Sequence, residues 1–334
     1  MATTVLGTRT GVYRLDDHTL KPIGLQDRNV SAVLAFMNSH GTPVILAGTY
    51  GDGLFRSEDE GRTWNSVGDG LTVPAFRTIT PDPTVPGAIL CGTEPARIFR
   101  SQDDGHNWEG FQGIPELPGS DEWFLPYSPR AGAVRNIYAP PGSSRLLGSV
   151  EVGGLLDSTD RGATWGIGLV AGDSHIHYVT GHPKDPNLLF AALGWASLKS
   201  VGRTEKSPPL GGIARSRDGG GTWEKLHMDY TRAVIVPPAR PELLLAGPSK
   251  RVGENGRIEV SADGGETWIP ASGGIETPMT DMVEEFLSGP TGTIWAICSG
   301  GRLMVADADE WSWISALPEG SDIKVRSVAF FPET

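Results

Sequence analysis

Ser57 to Trp64 reads SEDEGRTW, and the chain writes nearly the same eight residues four more times: Ser101 to Trp108 (SQDDGHNW), Ser158 to Trp165 (STDRGATW), Ser216 to Trp223 (SRDGGGTW) and Ser261 to Trp268 (SADGGETW). The shared pattern is S-x-D-x-G-x-T-W, and each fixed position suits the tip of a β-hairpin. The Ser hydroxyl and the Asp carboxylate accept hydrogen bonds from turn N–H groups, Gly supplies a positive φ, and Trp buries a large ring beside the next sheet. The tryptophans stand at 64, 108, 165, 223 and 268, so the gaps are 44, 57, 58 and 45 residues. That period fits four short strands per unit.

Two weaker copies extend the series. Ala306 to Trp313 (ADADEWSW) follows after another 45 residues and keeps only the Trp, while Gly11 to His18 (GVYRLDDH) occupies the place of a first, degenerate hairpin. Seven units divide 334 residues into about 48 each, which leaves no room for a second domain of ordinary size, so residues 1–334 are expected to form one domain. Strand-like runs such as Pro43 to Thr49, Ala88 to Thr93 and Leu243 to Gly247 are short and bounded by Gly or Pro, and no long helical period competes with them.

The composition agrees with a soluble β protein: 45 Gly and 26 Pro supply turns, and the net charge is -12. An acidic surface repels phosphates, which argues against nucleic acid or anionic lipid as a broad-surface partner. No stretch approaches a membrane span, the first residues lack the pattern of a secretory leader, and a cytoplasmic location is expected. Cys91 and Cys298 fall in equivalent strands of the third and seventh units, which are not neighbours in a ring, and are expected to be buried free thiols.

The five repeated turns resemble those of the Asp-box (BNR-repeat) β-propellers, a group that includes sialidases, xyloglucan-cleaving enzymes, sortilin-type receptors and a seven-bladed photosystem II assembly factor. The resemblance implies an all-β, seven-bladed β-propeller of four-stranded antiparallel blades, with the turns on the face opposite any ligand site. It gives Ser57, Asp59 and Trp64 a structural role. Lys324 to Phe331 then reads as the inner strand of a blade completed by Thr4 to Thr8, Gly11 to Leu15 and Leu20 to Gly24, so the ring closes by pairing its N- and C-terminal strands.

Aligning the units on their turns brings one register position near the start of each inner strand into view. It holds Ser31, Arg77, Arg135, His177, Arg232, Asp281 and Arg326. In a propeller the inner strands line the central channel, so these side chains are expected to converge near its mouth. Converging guanidiniums are costly unless an anion or carboxylates offset them, and both solutions remain open. A ligand would carry a carboxylate, sulfate or phosphate, bound by Arg77, Arg135, Arg232 and Arg326. An internal ion-pair network would use Asp281, Asp27, Glu94 and Glu151.

Further candidates lie on the same rim. Two long connections, Ile114 to Ala133 and Trp195 to Gly212, suggest a wall around a site, and the first carries Trp123 and Tyr127, which could stack on a ligand or be packed away. His175 and His177, two apart in a strand, together with His227, could hold a divalent metal; a hydrogen-bonded pair plus a surface His is the alternative.

An acidic-carbohydrate hydrolase or lyase would draw on His177 as base, Tyr230, and carboxylates such as Asp281 or Glu151. The Arg-Ile-Pro motif and a spaced Tyr-Glu pair, which the sialidase resemblance would call for, are absent, which disfavours a sialidase. The competing expectation is a non-catalytic assembly propeller whose rim binds a protein segment. A cofactor other than a divalent metal is not suggested.

Overall fold

The computed structural model describes residues 3–17, 19–124, 132–195, 210–227 and 229–332. Seven antiparallel sheets form a ring, a seven-bladed β-propeller with almost no helix. The inner strands of blades 1 to 7 are Val325–Phe330, Val30–Met37, Phe76–Pro81, Ala133–Tyr138, Ile176–His182, Tyr230–Ile235 and Val283–Ser288. Blade 1 joins the two ends of the chain: Val325–Phe330 pairs with Thr4–Thr8, which pairs in turn with Gly11–Asp16 and then Thr19–Gly24. Blade 6 adds a fifth short strand, Glu254–Gly256, beside Leu244–Arg251. Among the described residues no helix is long and apolar enough to cross a membrane.

The repeated turns staple the two outer strands of their blades. Ser57 Oγ accepts the Gly61 N–H at 2.8 Å and donates to Asp59 Oδ1 at 2.8 Å; Asp59 in turn accepts the Thr63 N–H at 2.9 Å and the Thr63 hydroxyl at 2.6 Å. The same bonds recur at Ser158, Ser216 and Ser261, and at Ser101 with Asn107 in place of Thr. The Thr63 hydroxyl and N–H pull the Asp59 carboxyl down to about 2, and Thr164 does the same for Asp160. Gly61 has φ 89°, and a Cβ there would sit 2.8 Å from Ile23 of blade 1. The Trp ring leans the same way, since Trp64 Nε1 donates to Ile23 O at 2.8 Å. It therefore packs on the preceding blade rather than the following one.

Among the described residues, buried apolar side chains gather in seven clusters, one at each interface between blades. An inner strand serves two of them, because successive side chains point to opposite faces. Ala32 packs toward Phe76 and Ile89 of blade 3, and its neighbour Val33 toward Val5 and Val12 of blade 1. A regular inner strand thus turns its side chains to the neighbouring blades and only its edge to the axis.

A bulge breaks that rule in all seven blades. The register slips between Gly7 and Thr8 opposite blade 1's inner strand, and within the inner strands of blades 2 to 7 between Val30 and Ala32, Phe76 and Thr78, Val134 and Asn136, Ile176 and Tyr178, Thr231 and Val234, and Val283 and Glu285. Each extra residue re-aims a side chain, as bulges do.

Candidate functional site

The extra residues at the bulges are Arg326, Ser31, Arg77, Arg135, His177, Arg232 and Glu284, and all seven line one cavity of about 520 Å³ at the channel mouth. The turns quoted at the outset lie on the opposite face, since each blade alternates the ends of its strands between the two. Asp281 is not in the ring. The inner strand of blade 7 starts two residues after it, Glu284 takes the bulge, and Asp281 instead pairs with Arg302 through both carboxylate oxygens, at 2.6 and 2.9 Å. The misreading has a physical source: Met279-Thr280-Asp281-Met282 and Val283-Glu284-Glu285-Phe286 both show two apolar residues bracketing a polar pair.

Most of the ring is knitted into a polar chain along one side of the mouth. Tyr50 donates to Glu94 at 2.9 Å; Arg77 lies 3.5 Å from the other oxygen of Glu94 and 3.9 Å from Glu151. Arg135 grips Glu151 Oε2 through both Nε and Nη2. His175 Nε2 stands 3.4 Å from Glu151 Oε1, and its ring lies 4.4 Å from that of His177. Arg232 Nε donates to the Tyr230 hydroxyl at 2.7 Å, that hydroxyl shares a hydrogen bond with His177 Nε2 at 3.0 Å, and Arg232 Nη1 reaches Glu284 at 2.5 Å. Glu94 and Glu151 are almost fully buried, and such carboxylates are sustained only when paired.

The field of this chain sets its protonation states. Burial works to raise the Glu151 carboxyl, yet Arg135, with His175 and His177, holds it well below the usual range. Burial pushes His177 well below an ordinary imidazole, helped by His175 and by Arg232 and Arg135. Burial also lifts the Tyr230 phenol to about 12 against the pull of Arg232. Tyr230 therefore keeps its proton at neutral pH, and its neighbours are an imidazole and a guanidinium rather than the carboxylate that would activate it as a nucleophile.

The opposite sector differs. Arg326 of blade 1 and Arg9, in the turn between Thr4–Thr8 and Gly11–Asp16, both line the cavity, and among the described residues neither guanidinium has an ion-pair or hydrogen-bond partner. Burial lowers the Arg326 pKa and repulsion from Arg135 and Arg9 adds to it, with Glu284 pulling the other way. Ser31, next in the ring, donates to Phe76 O at 2.7 Å. Below the ring Glu285 also lines the cavity, and burial raises its carboxyl to about 7.

The remaining expected residues fall elsewhere. Trp123 is buried in the cluster between blades 3 and 4, with Val134 and Val150, and its ring is core rather than a stacking surface in the cavity. Tyr127 lies outside the described residues. His227 ends the outer strand of blade 5 opposite Ile213, and its side chain lies outside the described residues as well. Among the described residues the donors that come together with His175 and His177 are those of Glu151. Exposed Phe124 lies within the first long connection and exposed Trp195 begins the second, and Trp195 meets Tyr230 edge-on at 5.2 Å.

Arg9, Tyr50 and Glu94 were missed or only partly read from sequence. A signal for them exists: each follows Gly-Thr at the end of a second strand, in VLGTR, LAGTY and LCGTE.

No family model matches the chain, and no curated protein matches it. In fold it is similar to an ancestral GH74 enzyme (TM-score 0.58, 13% identity, covering 92% of this chain and 36% of that one) and to the GH74 enzyme of Niastella koreensis (TM-score 0.63, 16% identity, 98% and 51%). It spans about a third and a half of the length of those two enzymes. It is also similar to YCF48 bound to D1 peptide (TM-score 0.57, 15% identity, 92% and 94%). At these identities the likeness establishes the β-propeller, a fold shared by enzymes and by propellers that engage other proteins.

Proposed function

We propose that this propeller recognises an anionic group, a carboxylate, sulfate or phosphate, at the mouth of its channel. The observation that carries the reading is the asymmetry of the ring. Arg77, Arg135 and Arg232 are each matched by a carboxylate, whereas Arg326 and Arg9 converge on the same cavity with no carboxylate paired to them among the described residues. An anion between these two would relieve their repulsion. A cavity of about 520 Å³ admits a ligand of sugar-acid size.

Calorimetry with glucuronate, sulfate and phosphate tests this. The wild-type protein should bind at least one of them with salt-sensitive affinity, and Arg326→Ala should weaken that binding by roughly 10- to 100-fold, the worth of one charge-assisted contact. Unchanged binding in the variant, or no binding of any of the three, would remove the reading.

A second reading is favoured by exposed Phe124 and Trp195 on the same rim: the carboxylate belongs to a protein segment whose apolar side chains cover them. The fold neighbour solved with a peptide is consistent with this use of a propeller. Here a peptide ending in a free carboxylate should bind, its amidated form should not, and the small anions should have no effect on thermal stability.

A further inference from the structure

The wall opposite Arg326 holds a second set of donors. Glu151 ends the second strand of blade 4, His175 immediately precedes the inner strand of blade 5, and His177 is that strand's bulge residue. All three are buried, and one donor atom from each lies within 4.8 Å of the other two. His175 Nε2 and Glu151 Oε1 are 3.4 Å apart. That is long for a charge-assisted hydrogen bond, which runs to about 2.7–2.9 Å. It matches the edge, roughly 3.4 Å, of a tetrahedron of donors bonded at about 2.0–2.1 Å to a central ion. No pair in the trio needs to close by more than 1.4 Å, the difference between 4.8 and 3.4 Å, to reach that edge.

The supports around the trio point the same way. Glu151 gives Oε2 to Arg135 and turns Oε1 toward His175, and Tyr230 orients the His177 ring through Nε2. Partners that fix a carboxylate and an imidazole in this manner also fix them as ligands. The three ring arginines nearby are each offset by Glu94, Glu151 or Glu284, so the local field is not that of bare cations. Two imidazoles and one carboxylate suit zinc and its first-row neighbours, whereas calcium and magnesium take all-oxygen sets.

We infer that Glu151, His175 and His177 form a binding site for a divalent transition-metal ion of the zinc class. Three protein donors leave a coordination position, and because His177 is on the cavity wall the fourth ligand would come from the cavity. The site is independent of the anion reading, since its donors are all protein groups.

Untagged protein stripped with chelator and titrated with Zn²⁺ by calorimetry, and with Co²⁺ by visible absorption, tests it. The expected result is one ion per chain with a Co²⁺ d–d band. His175→Ala and His177→Ala should each weaken binding at least about tenfold, and Glu151→Gln should do likewise. His106→Ala, on the exposed turn of blade 3, should change nothing. Circular dichroism checks folding; if Glu151→Gln unfolds because Arg135 loses its partner, the two histidine variants decide alone. No Zn²⁺ uptake by the wild type at roughly millimolar metal, or uptake unchanged in both histidine variants, would overturn the site.

Discussion

Glu285 is the side chain with the clearest pH signature. Burial raises its carboxyl from 4.5 to about 7, with Glu284 adding and Arg135 opposing. Between those values the folded protein keeps a proton that the unfolded chain has released, so stability falls as pH rises through that window and the penalty is complete above it. The shift corresponds to about 3 kcal/mol, an upper figure because the group retains access to the channel. Glu285→Gln should therefore be the more stable protein at pH 8, by up to that amount in urea melts, with the gap closing near pH 4.5. A pH-independent difference would contradict it. At this scale the sequence showed the turn residues and six of the seven ring positions. It did not distinguish Asp281 from Glu284, because both stand between apolar residues in the same pattern and only strand pairing chooses between them.

The bulged inner strand is the element that makes the site, and its partner strand is shaped to receive it. Gly7, Gly48, Gly92 and Gly247 lie on second strands where a Cβ would meet the inner strand of blade 2, 3, 4 or 7, or Ser327 of blade 1 itself. At Gly92 the nearest atoms are Val134 Cγ1 at 2.7 Å and the Val134 carbonyl oxygen at 2.8 Å, one residue before Arg135. A backbone oxygen cannot rotate aside. Gly92→Ala should cost roughly 1–3 kcal/mol by overpacking and displace Arg135, whereas Gly168→Ala, with open space around it, should be near neutral. Chemical denaturation of the two variants makes the comparison. The Gly-Thr motif was readable as a strand end, but the approach of the next blade was not, because it joins residues 42 apart.

The whole molecule depends on closure between its ends. Without Val325–Phe330, the strand Thr4–Thr8 would expose an unpaired edge, and Val325, Val328 and Ala329 would leave the clusters that flank blade 1. Deleting residues 322–334 should yield protein that self-associates in size-exclusion chromatography and loses its single sharp thermal transition. A monomer melting like the intact chain would show that six complete blades hold the ring without the closing strand. Closure also carries Arg326 to the mouth from the far end of the chain, beside Arg9 near the start.

The sequence by itself determined the blade count, the order of strands and the closing pair, because hairpin chemistry and strand alternation act over a few residues and recur with a period. The tertiary structure decided what the ring does with its charges. Arg77 and Arg135 meet Glu94 and Glu151 within their own blades, 17 and 16 residues away, whereas the contact of Arg77 with Glu151 and the pair of Arg232 with Glu284 join neighbouring blades across 74 and 52 residues, and Arg326 pairs with no carboxylate among the described residues. Electrostatic partnership of that kind follows distance in space, and no local pattern in the chain encodes it.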